Sequence, residues 1–572
     1  MKKLLKYLKN YTKETVLGPL FKLFEATLEL IVPLIIAAII DHGITNNDTP
    51  YIVKMCLLLA LLGLVGLGFS VTAQYFAAKA SVGFITDVKM GLFSHMQKLS
   101  YTDIDNLGTS TMITRMTTDA SRVQTGVNLT LRLLLRSPFV VFGAMIMAFS
   151  IDLESGLTFA VTIPALSVII FGIMIITTPL YKKVQTALDG ILNKTRENLS
   201  GVRVIRAFGK EEDEVQSFNI ENERLTTSQK KAGHISALLN PLTYIIINLG
   251  IIFLIYIGAL RVDLGELTQG EVIALYNYMS QILVELVKLA NLIISITKAL
   301  ASASRISSVF DITPTQSFGE ITNGSGDIAV EFSNVSLCYI NAAENSLNGI
   351  SFKAFKGETI GIIGGTGAGK SSLINLIPRF YDATSGEVKI GGVAIKDYTK
   401  EALISKIGVV PQRAVLFKGT IRDNLRWGSS DATDEEIMEA VKIAQASDVV
   451  SAKGGLDGEI AGGGKNLSGG QRQRLTIARA IVGKPEILIL DDSASALDFA
   501  TDAALRSAIR NMGGDTTVFI VSQRAASVMY ADKIIVLDDG EAVGIGKHEE
   551  LLESCAVYRE IYDSQFKKEA SV

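Results

Sequence analysis

The chain has 572 residues, which is too long for one ordinary domain. Hydrophobic residues make up 48% of it and the mean hydropathy is positive, which excludes a typical soluble composition and indicates membrane segments. The net charge of −3 gives no indication of nucleic-acid binding. Three cysteines lie far apart without metal-ligand spacing, so we expect free thiols in a reducing compartment.

The N-terminal sequence MKKLLKYLKNYTKE is basic and amphipathic and shows no signal-peptide cleavage site. We expect it to form a helix along the cytoplasmic membrane surface. Six stretches follow, each with roughly 20 mainly apolar residues, which is enough to cross a bilayer. The predicted spans are 15–41, 51–82, 129–150, 156–181, 236–259 and 270–300.

The connections between the spans differ in charge. The three short connections 41–50, 150–156 and 261–270 hold one basic residue, Arg261. Lysine and arginine are abundant instead at the N-terminus and in the loop 182–235. The positive-inside rule therefore predicts that both termini and the two long loops, 83–128 and 182–235, are cytoplasmic. Both loops are polar yet helix-forming, so we expect helices that extend beyond the membrane.

Charged residues inside the spans are few. Glu25 and Glu29 lie one turn apart on the first span, and Glu285 and Lys288 are three residues apart on the sixth. They are either the polar wall of a cavity that contacts substrate, or charges that are paired between helices or snorkel to a membrane interface, and the sequence favours neither interpretation.

The second half of the chain alternates short apolar strands with helical stretches. We predict an α-helical membrane domain over 1–300 and a Gly/Ser/Thr-rich linker over 301–327. The segment GGTGAGKS (364–371) matches the phosphate-binding pattern G-x-x-x-x-G-K-[ST], so we predict an α/β nucleotide-binding domain of the P-loop class over 328–572.

The segment GETIGIIGGTGAGKSSLINLI (357–377) reads as strand, glycine-rich loop and helix. Its backbone N–H groups are expected to surround phosphates, with Lys370 reaching the β- and γ-phosphates and Ser371 on Mg²⁺. We refer to Gly364–Ser371 as the phosphate cradle. The predicted nucleotide contacts are Gly364, Gly365, Thr366, Gly367, Ala368, Gly369, Lys370, Ser371 and the following Ser372.

Two further segments indicate phosphate chemistry. The apolar strand EILIL ends at Asp491, which lies about 120 residues after the cradle and is expected to hold Mg²⁺ through water. In NLSGGQRQRLTIARA (466–480), small residues open a helix. This start is either a plain N-cap or a second anion site used by a neighbouring molecule.

The segment LSGGQ at 467–471 resembles the signature of ATP-binding cassette (ABC) proteins. Tyr339 resembles the aromatic residue that stacks on adenine, and Gln412 the Q-loop glutamine that senses Mg²⁺. SALD (495–498) resembles the D-loop. The segments 101–123 and 197–218 resemble the two intracellular loops of ABC exporters, and the order of the two halves resembles an exporter half-transporter.

The resemblance implies that two such chains associate and hold ATP head-to-tail between them. Each site would combine the phosphate cradle of one chain with the signature of the other. Ser468, Gly469, Gly470 and Gln471 would then contact nucleotide bound by the partner, and the Mg²⁺ ligands would be Ser371, Gln412 and Asp491.

Two positions depart from the family pattern. The residue after the Mg²⁺ aspartate is usually a glutamate acting as general base, and here it is Asp492. Its carboxylate reaches about 1.5 Å less far, and a misplacement of about 1 Å can cost on the order of 10²-fold in rate. The switch histidine is replaced by Gln523, which cannot carry a proton at neutral pH.

These departures predict a site that binds ATP and hydrolyses it slowly. The chain then resembles the degenerate-site subunit of a bacterial heterodimeric multidrug exporter, whose partner would keep glutamate and histidine. A milder departure is Gly462, where exporters often carry a glutamate, and it leaves domain coupling open.

We expect a multi-pass cell-membrane protein that exports amphipathic drugs, lipids or peptides. The alternatives are a homodimeric exporter, in which Asp492 and Gln523 suffice, and an ATP-gated channel or regulatory module. Import and peptide processing are disfavoured, because membrane and nucleotide halves share one chain and no protease domain precedes them.

Overall fold

The computed structural model describes residues 2–340, 342–493, 496–512 and 515–566 and forms two compact units. One unit comprises Met1–Gln97 and Ser110–Ile312, and the other Lys98–Thr109 and Thr313–Val572. We call them the membrane unit and the nucleotide unit. The nucleotide unit thus includes a short piece of the first long loop.

Six helical stretches are long and apolar enough to cross a membrane, and each contains one of the predicted spans, so the six-span prediction is confirmed. They cover Lys3–Ile44, Thr49–Met96, Thr109–Ile151, Leu153–Ser200, Glu211–Asp263 and Gln269–Phe310. Turns and short 3₁₀ or π segments separate the α-helices of the first half. These helices are α1 (Lys2–Leu8), α2 (Thr12–Ala38), α3 (Thr49–Met96), α4 (Tyr101–Leu107), α5 (Thr109–Thr114), α6 (Ala120–Leu133), α7 (Arg136–Ile151), α8 (Leu153–Ser200), α9 (Val202–Ala207), α10 (Glu211–Ala237), α11 (Leu239–Asp263) and α12 (Gln269–Phe310).

The longest helices exceed what a bilayer needs. α3 and α8 have 48 residues each, which corresponds to roughly 70 Å at 1.5 Å per residue, against a hydrocarbon thickness of about 30 Å. The two long loops are mostly helical, as their polar but helix-forming sequence predicted. The membrane-unit core lies among α2, α7, α8, α11 and α12.

α12 continues to Phe310, so the first ten residues of the predicted linker are helical instead. The reason is that Ala303, Ile306 and Val309 are buried at helical spacing and extend the apolar face of the helix. The helix ends at Phe310 with Asp311 as its C-cap, and the first strand begins at Ile328.

The nucleotide unit is built on two main sheets. Its strands are β1 (Ile328–Leu337), β2 (Leu347–Phe355), β3 (Thr359–Gly364), β4 (Ser385–Ile390), β5 (Val393–Ala394), β6 (Ile407–Val410), β7 (Gly419–Thr420), β8 (Glu459–Ile460), β9 (Ile487–Asp491), β10 (Thr517–Val521), β11 (Lys533–Asp538) and β12 (Glu541–Gly546). An antiparallel sheet has the order β2-β1-β4-β5, and a mostly parallel sheet has the order β12-β11-β3-β10-β9-β6. Side chains of both sheets and of the helix after β3 form one core, including Phe332, Ile362, Leu373 and Phe519.

A second core lies where helices cover the β6 and β9 side of the parallel sheet. The helices of this unit are α13 (Lys370–Leu376), α14 (Lys400–Ser405), α15 (Ile421–Leu425), α16 (Asp434–Ile443), α17 (Ser447–Ala452), α18 (Gly469–Val482), α19 (Phe499–Arg510), α20 (Ala525–Val528), α21 (His548–Ser554) and α22 (Ala556–Phe566). The predicted fold class, a helical membrane domain followed by an α/β domain, is therefore confirmed.

Candidate functional site

Three adjacent parallel strands, β3, β10 and β9, end at one edge of the sheet. The carboxyl ends of such strands form the usual ligand crevice of an α/β sheet. Here they lead into a cavity of about 290 Å³. Its lining includes the predicted site residues Thr366, Gly367, Gly369, Lys370, Ser371, Ser372, Gln412, Asp491, Asp492 and Gln523.

The loop after β3 has the geometry of a phosphate cradle. Gly367 and Gly369 have φ of 88° and 92°, the left-handed region that favours glycine. A Cβ at Gly369 would lie 2.6 Å from the carbonyl oxygen of Ser346. Lys370 Nζ donates to the carbonyl oxygens of Gly364 at 2.9 Å and Gly365 at 2.5 Å, so its charge lies over the loop.

The charges at this edge are destabilised by burial. Burial lowers the pKa of Lys370, although the charges of Asp492 and Asp491 oppose this shift. Burial likewise raises the pKa of Asp491, with a smaller contribution from Asp492 and an opposing hydrogen bond from Ser371. A phosphate beside Lys370 and a cation beside Asp491 would each stabilise the charged form.

Ser371 and Asp491 fit a magnesium site. Ser371 Oγ lies 3.3 Å from Asp491 Oδ2, which brings the two predicted ligands together. Mg²⁺ usually takes only one or two carboxylates from the protein and completes its shell with waters and phosphate. Consistently, the described residues contain no group of three or more acidic, histidine or cysteine side chains able to hold a metal.

Asp492 has an unusual backbone for a non-glycine residue. Its φ is 43°, and its N–H donates to the carbonyl oxygen of Val521 at 3.0 Å. Aspartate tolerates this left-handed region better than most residues. This hydrogen bond holds Asp492 beside the end of β10, and Asp492 lines the cavity.

Gln523 is exposed and lines the same cavity. A glutamine on the C-terminal helix α22 holds its backbone. Gln565 Nε2 donates to the carbonyl oxygen of Gln523, and Gln565 Oε1 accepts from the N–H of Ala525, both at 2.9 Å. The sequence analysis missed Gln565, because a contact across 42 residues leaves no local pattern.

Tyr339 lies beside the cradle, where its hydroxyl donates to Ser372 Oγ at 3.1 Å. Its ring packs edge-on against Tyr381, with centroids 5.0 Å apart. The Tyr381 hydroxyl donates to Asp105 Oδ2 at 2.7 Å. Asp105 lies on α4, within the segment that resembles the first intracellular loop. The sequence analysis did not assign a role to Tyr381 or Asp105.

The signature segment starts a different helix. Ser468 is the N-cap of α18 and forms a capping box with Gln471. Among the described residues that line the cradle cavity, none belongs to 468–471, so the structure does not bring the signature to the cradle of its own chain. The D-loop prediction falls partly on Ser495, outside the described residues. Asp498 caps α19 by accepting from the N–H of Thr501 at 2.8 Å.

Two family models match the chain. Residues 15–286 match the ABC transporter transmembrane region and residues 347–495 match the ABC transporter model. The chain is 30% identical over 587 residues to the "Putative multidrug export ATP-binding/permease protein YgaD" of Bacillus subtilis (strain 168), with 99% of each chain covered. It is 33% identical over 484 residues to the "ATP-dependent lipid A-core flippase" of Desulfotalea psychrophila (strain LSv54 / DSM 12343), with 84% of each covered.

A solved structure has a similar fold. The "Structure of a bacterial Atm1-family ABC exporter with ATP bound" aligns with a TM-score of 0.78 and covers 97% of this chain and 98% of its own. At 23% sequence identity, this is a likeness of fold alone.

Proposed function

Because this chain belongs to the ABC transporter family and is an exporter whose ATPase is coupled to transport, we propose that it works as the degenerate-site half of a heterodimer. In this proposal the chain's own cradle binds ATP and hydrolyses it poorly. Its signature completes the hydrolysing site on a partner chain that carries glutamate and histidine at the catalytic positions.

One observation carries the proposal. Groups that would hold the nucleotide surround the cavity, whereas the two catalytic positions beside them carry Asp492 and Gln523. A base that is one methylene short and a glutamine that cannot titrate are both expected to slow hydrolysis while leaving binding intact.

The nucleotide contacts are assigned by position. Tyr339 would stack on adenine, Lys370 would neutralise the β- and γ-phosphates, and the backbone of Gly364–Gly369 would donate to phosphate oxygens. Ser371, Gln412 and Asp491 would hold Mg²⁺, which supplies positive charge on the phosphates when it is bound. Ser468, Gly469, Gly470 and Gln471 would contact the nucleotide held by the partner chain.

The membrane topology and the substrate are part of the same proposal. The basic N-terminus and the many lysine and arginine residues of the loop 182–235 favour cytoplasmic termini, with the nucleotide unit on the same side. One relative is named as a putative multidrug export protein and another as a lipid A-core flippase, so we propose amphipathic substrates for this chain.

A homodimeric exporter is the second candidate. It is favoured by Asp492 itself, because an acidic residue still lines the cavity at the base position. Two copies of this chain would then form two equal sites.

Co-expression with the product of a neighbouring ABC gene separates the candidates. The heterodimer proposal expects a one-to-one complex with much higher ATPase activity than the isolated chain. If the chain alone forms a stable dimer with equal specific activity, the heterodimer proposal is wrong and the homodimer replaces it.

A further inference from the structure

The sequence left open whether the charged residues within the spans form a cavity wall or are paired between helices, and it overlooked one member of the group. Arg136, at the start of α7, is buried and lies between two carboxylates of other helices. Its Nη2 donates to Glu29 Oε2 at 2.5 Å and its Nη1 to Glu285 Oε1 at 2.6 Å. Lys288 Nζ also donates to Glu285 Oε1, at 2.8 Å.

These contacts form a row of four alternating charges, Glu29, Arg136, Glu285 and Lys288, which we call the charge row. The two inner side chains are only 7% and 4% exposed, whereas Glu29 at one end is 42% exposed and Lys288 at the other is 45% exposed. The inner pair therefore neutralises itself, as a buried ion pair must. The ends present one accessible negative charge and one accessible positive charge.

Both ends of the charge row line a cavity of about 390 Å³ between α2, α7 and α12. Val32, Ile36, Val140 and Val284 supply an apolar wall of the same cavity. Polar residues of α12, including Asn277 and Gln281, also line the cavity. The charges of the row are therefore paired between helices, and both ends of the row also line a cavity.

One polar atom in this region lacks a partner. Gln281 Oε1 is buried and has no hydrogen-bond partner among the residues that the structure describes. An unsatisfied buried acceptor is costly and is rare in folded proteins.

We propose that this cavity binds a zwitterionic amphiphile, with its ammonium group at Glu29, its anionic group at Lys288 and its tail along the apolar wall. A purely cationic ligand would meet Lys288 and a purely anionic one would meet Glu29, and like charges brought together at a binding surface are strongly unfavourable. The inference rests on the exporter function above and names the substrate class of that transporter. The zwitterion is either a membrane lipid headgroup or a soluble amphiphile.

The test uses the full-length transporter in nanodiscs, without ATP, and measures equilibrium binding of acyl-labelled lipids that differ only in headgroup charge. The probes are phosphatidylethanolamine, anionic phosphatidylglycerol and a cationic lipid with the same chain. N-decylglycine, a soluble zwitterion, is tested as a competitor. We expect phosphatidylethanolamine to bind about tenfold more tightly than either singly charged probe, a ratio typical of one well-placed ionic contact.

Two substitutions must shift this preference in opposite directions. Glu29→Gln removes the negative end and keeps an acceptor for Arg136, so binding should shift towards phosphatidylglycerol. Lys288→Gln removes the positive end, so binding should shift towards the cationic lipid. Glu14→Gln is the matched control, because Glu14 also lies on α2 but pairs with Lys79 at 2.9 Å and is not among the cavity-lining residues.

Opposite shifts in the two variants, with no shift in the control, support the inference. Given those shifts, competition by N-decylglycine shows that soluble zwitterions also enter the site, and absence of competition identifies a membrane lipid. An unchanged order of the three lipids in both variants overturns the inference, as does equal loss of all binding in folded protein. Because no ATP is present, these outcomes are independent of whether the heterodimer proposal holds.

Discussion

The nucleotide unit contains two helix starts that the sequence predicts to contact phosphate, and they are built differently. α13 follows Gly369, whose left-handed backbone offers no side-chain cap. α18 follows Ser468, whose Oγ accepts from the N–H of Gln471 at 3.3 Å while Gln471 Oε1 accepts from the N–H of Ser468 at 2.9 Å. The start of α13 has no side-chain cap on its N–H groups, whereas at the start of α18 two backbone N–H groups donate to side chains of the same segment.

This difference explains how one chain can carry both. The first N–H groups of a start without a side-chain cap can bond to water or to a ligand, and in our proposal the phosphates that Lys370 would also contact are that ligand. A start with a capping box is stable by itself, so it can stay exposed until a partner chain presents a nucleotide. The cradle is thus suited to bind first and the signature to complete a site.

The largest expected effect comes from the signature. Ser468→Arg places a bulky cation where the partner's γ-phosphate would lie, and the loss of well-placed transition-state contacts typically costs about 10²–10³ in rate. ATPase activity of the paired transporter should therefore nearly vanish. Thr433→Arg is the matched control, because Thr433 forms the same capping box with Glu436 on α16 but lies outside the signature. Equal loss in both variants would mean that only the cap matters.

The next effect is on nucleotide affinity at the cradle. Lys370→Ala removes a charge-assisted contact to phosphate, which typically contributes about 1.5–3 kcal/mol, or roughly 10–100-fold in affinity. Binding of a fluorescent ATP analogue to this chain should weaken by that factor. Lys389→Ala, which removes a partly exposed lysine paired with Glu387, should leave the affinity unchanged. Retained affinity in Lys370→Ala would place the phosphates elsewhere.

A smaller effect is expected where Tyr381 contacts Asp105 on α4. Tyr381→Phe deletes the hydrogen bond to Asp105 but keeps the ring against Tyr339. Loss of one hydrogen bond of about 1 kcal/mol corresponds to about fivefold, so stimulation of ATPase by substrate should fall by about that factor while ATP affinity stays the same.

Tyr398→Phe controls for the lost hydroxyl. Tyr398 is fully buried and donates to the carbonyl oxygen of Ile390 at 2.7 Å, away from Asp105. It should lower thermal stability without changing stimulation. If Tyr381→Phe also weakens ATP binding, its hydroxyl acts on the nucleotide rather than on the loop.

The sequence predicted those parts of the molecule whose chemistry depends on local order. The cradle needs glycines at fixed positions within eight residues, and the spans need long apolar runs, so both can be read from short windows. The start of the linker was misplaced because the buried face of α12 continues through small residues, such as Ala303, that the composition of a linker also contains.

Contacts between distant segments could not be predicted in this way. Asp105 and Tyr381 are 276 residues apart, and Arg136 and Glu285 are 149 apart. Only tertiary packing brings such pairs together. Arg136 did leave a signal, since an arginine inside an apolar run must find a partner, but the identity of that partner depends on how α2, α7 and α12 pack.

The smallest effect is expected at Asp492, and it decides whether the cradle also performs chemistry. A working general base contributes about 10²–10⁴ in rate, so Asp492→Asn in a catalytic site would be as damaging as Ser468→Arg. We expect instead less than about a twofold loss of ATPase activity in the paired transporter, because the heterodimer proposal assigns slow hydrolysis to this cradle.

A sharper version of this experiment silences the partner's site by replacing the partner's catalytic glutamate with glutamine. In the same complex, this chain carries Asp492→Glu and Gln523→His together. Single-turnover hydrolysis at this cradle should then rise, and more in the double variant than in either single one, because a base and a switch residue act as a unit. No rise would mean that the left-handed backbone at residue 492, with φ of 43°, rather than the missing methylene, keeps the carboxylate from the attacking water.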